Sequence, residues 1–160
     1  MAQLKKYGFI PPVITEKNYI LGGFTKVKGK VINQSGKWKS FRPIFESQST
    51  GGLDAQNCTA FGTLYALAAL EKFHKGGDYN YSERAVGIAA NTNPRAGNDP
   101  TKVADAIRNI TCVVPNEVLP FKQGLTLDTY FEPKPLTKEI LSKGQPWADT
   151  WELQYELIWK

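Results

Sequence analysis

Apolar and polar positions alternate differently in successive parts of the chain. From residue 1 to about 50, β-branched and aromatic residues are interleaved with polar ones and cut by Gly and Pro, which predicts strands and extended arms. Tyr19-Ile20-Leu21, then Gly22-Gly23, then Lys26 through Ile32 reads as an edge hairpin whose lysines discourage pairing with other sheets. Asn33-Gln34-Ser35-Gly36 follows as a turn. From Cys58 to Lys75 the period becomes helical, with Phe61, Leu64, Tyr65 and Ala68 at three-and-four spacing and Leu67 and Leu70 widening the apolar face. This helix is expected to be central and buried on much of its circumference. Asp54 or Asn57 is a candidate cap for its start, and Gly76 can take the left-handed conformation at its end.

After a polar turn, Ser82 caps a short helix running to Ala90, and a loop over 91–99 leads to Pro100 at a first helical position. Val103, Ala104, Ala106, Ile107 and Ile110 form the buried stripe of that next helix. From Pro120 onward the chain is rich in Pro and aromatic residues, and its last stretch, 151–159, fits a helix or a strand equally well. The expected organisation is a strand-bearing or extended arm over 1–50, a helical body over 51–125 and a C-terminal extension over 126–160. The fold class is α+β.

Composition supports a folded chain. A length of 160 residues suits one domain with roughly two thirds of its unfolded surface buried. Its 41% apolar and 22% charged residues match ordinary soluble domains rather than disordered or fibrous ones. No apolar run of about 18 residues is present, and no apolar stretch follows the first lysines, so neither a membrane span nor a secretory signal is expected. The expected location is cytoplasmic or within a virion. Two cysteines, Cys58 and Cys112, are too few for a disulfide framework and are expected as thiols. The net charge of +5 raises the possibility of a polyanion partner, but the lysines are scattered and no nucleic-acid-binding signature appears. No cofactor or metal is expected.

Chemistry concentrates at Cys58. A thiol is a nucleophile as thiolate, and the partial positive charge of a helix N-terminus lowers its pKa. The same helix start offers backbone N–H groups that can stabilise an oxyanion. A cysteine is also a common small core residue, and position alone leaves both readings open.

The segment Trp38-Lys-Ser-Phe-Arg-Pro43-Ile-Phe-Glu-Ser-Gln48, followed by Cys58-Thr-Ala60-Phe61-Gly62, resembles the papain-like cysteine peptidases, which carry Trp, Pro and an oxyanion Gln ahead of a Cys-Trp-Ala-Phe-Ser block opening the central helix. Three further stretches resemble that family in the same order: Tyr81-Ser82-Glu83, Gly97-Asn98-Asp99-Pro100, and Val113 through Phe121. The resemblance implies the left, helix-bearing half of that fold with its central helix starting at Cys58, the β-rich right half being absent from the chain. It also implies Cys58 as nucleophile, Gln48 as side-chain oxyanion donor, and the backbone of Gly97 and Asn98 as the partner of an extended peptide or protein substrate. Gln48 is equally readable as a polar strand-end residue, and Gly97 as a glycine kept for backbone freedom.

Three departures matter. The stretch from Ser49 to Asn57 is longer than the family's spacing, which could displace Gln48 and leave Gln56 as a substitute donor. Thr59 stands where the family has Trp. The family also activates its thiol with an imidazole, whereas the one histidine here, His74, lies sixteen positions along the same helix, roughly 24 Å from Cys58. Fewer than forty residues follow Phe121, and none is His. The expected function is therefore a papain-like cysteine peptidase, or a fragment of one, with His and Asn supplied outside this chain. The alternative is a catalytically incomplete module with a structural or assembly role, as in a phage particle, suggested by the likeness of the Tyr-Ile-Leu-Gly and Trp38 region to phage-borne papain-like proteins. In either case another protein chain is a possible partner that completes the fold.

Overall fold

A computed structural model describes residues 10–12 and 32–153. The hairpin expected over 19–32 and most of the segment 151–159 lie outside the described residues.

The helices form where the pattern predicts them. Helix α1 spans Cys58–Lys75 and stops at Gly76, whose φ of 70° is left-handed. Helix α2 spans Glu83–Ala89, with the Ser82 side chain accepting the Ala85 N–H at 3.0 Å. Helix α3 spans Pro100–Asn109; Pro100 loses nothing at a position whose N–H has no helical partner, and Asp99 accepts from the N–H groups of Thr101 and Lys102. The three pack against one another pairwise. Their shared core holds Ala60, Leu64, Val86, Val103, Ile107 and Cys112, joined by Val113 and Trp147.

The buried face of α1 is rotated from the expected one. Ala60, Leu64, Ala68 and Glu71 are buried, whereas Phe61 is half-buried and Tyr65 is 37% exposed. Small residues face α2 and α3 because two alanines let helix axes approach closely. The bulkier aromatics are turned to the side where the segment Arg42 to Glu46 passes over the helix, leaving a groove.

Over residues 32–50, strand content is lower than the alternation suggested. Between residues 32 and 50 there is a 3-10 turn, Lys39–Phe41, and a single strand, β1 (Ser49–Thr50). β1 pairs antiparallel with β2 (Leu53–Asp54). The Gly51-Gly52 loop between them has φ values of 60° and 86°, the primed turn geometry that suits strand twist. The aromatics upstream pack on the helix rather than line a sheet: the Trp38 and Phe41 rings lie 5.4 and 5.0 Å from Phe73 of α1. The turn at Asn33 to Gly36 forms as predicted, with the Gly36 N–H donating to the Asn33 carbonyl at 3.0 Å. The described residues thus form a mixed structure of helices and one small two-stranded sheet.

The segment after Phe121 adds three short helices, α4 (Leu127–Tyr130), α5 (Lys138–Ser142) and α6 (Gln145–Ala148). It joins the same core through Glu71, a carboxylate only 4% exposed that takes hydrogen bonds from Tyr81 Oη and Trp147 Nε1, both at 2.6 Å. Buried carboxyl oxygens are tolerable only when hydrogen-bonded in this way. Among the described residues, no helix is long and apolar enough to cross a membrane.

Candidate functional site

The start of α1 is held by two segments distant in sequence. On the upstream side, the Ala55 N–H donates to the Gln48 carbonyl at 2.9 Å, and Ser49 and Thr50 pair with Asp54 and Leu53. The residues that lengthen the stretch between Gln48 and Cys58 therefore fold outward as a hairpin, and the chain returns to Gln48 three residues before Cys58. The lengthening leaves the Gln48 backbone beside Ala55.

Asn57 is wholly buried and provides the other anchor. It occupies the N-cap position, but its side chain does not cap α1. Its Nδ2 donates instead to the Glu83 carbonyl at 2.8 Å and to Tyr130 Oη at 3.2 Å, tying the helix start to α2 and α4. Gly87 makes this possible, since a Cβ there would lie 2.6 Å from Asn57 Nδ2. Asp54, the other expected cap, accepts the Gln56 N–H at 3.0 Å. Gln56 has a φ of 51°, a region that costs a non-glycine residue of order 1 kcal/mol. Tyr130 is itself fixed by packing against Phe121 and Phe131 and by Arg84, whose guanidinium donates to the Tyr130 and Thr129 carbonyls at 2.9 and 2.8 Å.

Cys58 is the first residue of α1 and is half-buried. Burial pushes its thiol above the ordinary value of 9.0 and the nearby Asp54 carboxylate adds to this, while the Thr59 backbone N–H pulls the other way. Desolvation outweighs the helix terminus, so the thiol is protonated at neutral pH. Five buried side-chain oxygens among the described residues lack a hydrogen-bond partner, and four of them flank this thiol in sequence: Gln48 Oε1, Gln56 Oε1, Asn57 Oδ1 and Thr59 Oγ1. Buried polar atoms are normally paired, and such a concentration marks a place where pairing has been left to something else.

The remaining sequence-predicted residues lie elsewhere. Gly97 has a φ of 82°, and its N–H and carbonyl both pair with Asn93, at 2.9 and 3.1 Å, so neither is open to an added strand. Asn98 is buried, with Nδ2 donating to the Ala90 carbonyl and Thr92 Oγ1, each at 3.0 Å. Its backbone carbonyl accepts the Ile10 N–H at 2.9 Å, so a segment of this chain's own N-terminal region lies on it. His74 is exposed near the far end of α1, beside the rings of Phe73 and Trp151 at 5.1 and 6.3 Å, and is not brought to Cys58. Cys112 is fully buried, its thiol pushed up to about 12 by desolvation, and belongs to the core.

Sequence reasoning missed Asn57 as a tether, Tyr130 as its partner, and a carboxyl pair, Glu46 with Glu83. The Asn80 and Asn116 amides donate to Glu46 Oε1 at 2.5 and 2.9 Å, and burial together with the neighbouring Glu46 carboxylate pushes Glu83 up to about 8. Glu83 carried a signal, an acid at the first position of a capped helix, but a solvated first-turn glutamate looks the same in sequence. Among the described residues, no three His, Cys, Asp or Glu side chains gather to hold a metal ion. Comparison with known proteins finds no matching family model, no matching curated protein and no matching solved structure.

Proposed function

We propose that this chain carries the nucleophile and oxyanion side of a papain-like cysteine peptidase site. Cys58 Sγ attacks the substrate carbonyl, a glutamine amide and the helix-start N–H groups hold the developing oxyanion, and an imidazole from beyond this sequence takes the thiol proton. The observation that carries this reading is the hairpin that returns the chain to Gln48 beside Ala55, so that Gln48 stays at the approach to Cys58 despite the long spacing. The raised thiol makes Cys58 a weak nucleophile at pH 7, so the reaction requires a separate base.

The test separates the oxyanion from the thiol. Acetylation of Cys58 by 4-nitrophenyl acetate passes through a tetrahedral oxyanion and releases 4-nitrophenolate, whereas alkylation by iodoacetamide displaces iodide with no oxyanion. At pH 9 a burst of about one equivalent is expected, absent in Cys58→Ser. Removing one oxyanion donor typically costs about 100-fold in rate, so Gln48→Ala or Gln56→Ala should slow acetylation by up to that factor and leave alkylation unchanged. If both variants alter the two reactions in proportion, no glutamine serves the oxyanion and the reading is wrong.

A second reading is favoured by the raised thiol together with the distance of His74: the fold is kept without the reaction and serves as a platform in an assembly. It gives an acetylation rate no greater than that of an exposed thiol at equal ionisation, unaffected by either glutamine.

A further inference from the structure

The aromatic side of α1 borders a groove of about 740 Å³ that does not include Cys58. Its outer wall is the segment from Arg42 to Glu46, where Ile44 and Phe45 are 61% and 79% exposed, and its inner wall is Phe61, Leu64 and Tyr65 of α1. A single exposed apolar side chain is ordinary, but here two neighbouring ones line the same opening. At the buried end stand Glu83, only 7% exposed, and Glu46. Glu46 takes hydrogen bonds from the Asn80 and Asn116 amides, both neutral donors. The basic residue lining the groove, Arg42, is exposed. An apolar mouth leading to an acceptor-rich, anionic end selects one kind of occupant.

The geometry points to this groove as a docking site for a peptide segment that places an arginine or lysine side chain against Glu46 and Glu83 and an adjoining aromatic or aliphatic residue between Phe45 and Tyr65. A guanidinium supplies donors to the carboxyl oxygens of Glu46 and Glu83, and its stem lies along Phe61, Leu64 and the ring of Tyr81. The groups that can titrate along the lining are Arg42, Glu46, Tyr65, Tyr79, Tyr81 and Glu83. Of these, Glu83 is the one raised to about 8, so a bound cation displaces its proton and binding strengthens as pH rises toward that value. The groove is independent of the thiol chemistry proposed above, and Cys58→Ser leaves it intact.

The test uses the whole chain with two peptides of equal shape, acetyl-Phe-Arg-amide and acetyl-Phe-citrulline-amide, the second neutral. Titration followed by amide NMR shifts is expected to perturb Ile44, Phe45 and Tyr65, with the arginine peptide bound about tenfold more tightly or better, as a hydrogen-bonded charge supports. Glu83→Gln is expected to bring the two peptides close together in affinity. Phe45→Ser, at a side chain that packs little in the folded protein, is expected to weaken both. The proposal is overturned if neither peptide binds at millimolar concentration, if the two bind equally, if the shifts lie outside the groove, or if Phe45→Ser binds as the parent does.

Discussion

Gly87→Ala tests the tether that places Cys58. In an ordinary α-helix this change is favourable by about 1 kcal/mol, because alanine loses less backbone entropy than glycine. Here the new Cβ would stand 2.6, 2.9 and 3.0 Å from Nδ2, Oδ1 and Cγ of Asn57, a side chain with no exposed surface. To relieve this, Asn57 must withdraw and give up its bonds to the Glu83 carbonyl and Tyr130 Oη. Each lost bond costs about 1 kcal/mol, and a buried amide left unpaired adds about 1–3 kcal/mol more. Set against the helix gain, the net loss is about 2–4 kcal/mol. For a chain of this length, a change of 1 kcal/mol moves Tm by roughly 2–4 °C, so the midpoint of thermal unfolding followed by circular dichroism should fall by roughly 4–16 °C. A double-mutant cycle makes the reasoning specific. Asn57→Ala alone destabilises by about 2 kcal/mol, but in that background Gly87→Ala meets no obstacle and becomes neutral or stabilising by up to about 1 kcal/mol. If Gly87→Ala costs the same in both backgrounds, the contact with Asn57 is not what excludes a side chain at 87.

Three further outcomes follow from the same packing. Gly144→Ala would place a Cβ 2.1 Å from the Thr111 carbonyl oxygen, backbone against backbone, and should destabilise by about 4 kcal/mol or more in urea unfolding. Glu83 holds its proton more tightly folded than unfolded, where the ordinary value is 4.5, so its contribution to stability is complete below about 4.5 and is lost as pH rises toward about 8. Denaturant midpoints across that range should decline less steeply in Glu83→Gln. Iodoacetamide should modify Cys58 of the folded chain with a half-maximal rate above pH 9, and Cys112 only on unfolding; fast labelling of Cys112 under native conditions would contradict its burial.

How much of this could be read from the sequence depends on the range of the interactions involved. The limits of α1, α2 and α3 are local matters of capping, proline and helical period, and Cys58, Ser82, Pro100 and Gly76 announce them in the chain itself. The turn at Asn33 to Gly36 is of the same kind. The rotation of α1 is not local: an i, i+3, i+4 stripe identifies an apolar face, but which apolar residues meet α2 and α3 is set by how closely those helices approach. Two alanines serve that contact better than Phe61 and Tyr65, and the groove is the consequence.

The site divides in the same way. Position singles out Cys58, the resemblance to the papain-like peptidases adds Gln48, and the count of residues along α1 puts the one histidine too far away to act on the thiol. Where the chain between Gln48 and Cys58 runs was undetermined, because a longer spacing can either separate two residues or loop out between them; the backbone pairing of Gln48 with Ala55 shows that it loops out. Asn57, Tyr130 and Gly87 form a contact across 73 residues of sequence, and Glu46 reaches Asn116 across 70. Contacts of that span leave no periodic trace. Ionisation is the last thing only the tertiary structure could decide: a helix N-terminus in sequence suggests an acidified thiol, but desolvation and Asp54 are properties of the packed surroundings, and they raise it.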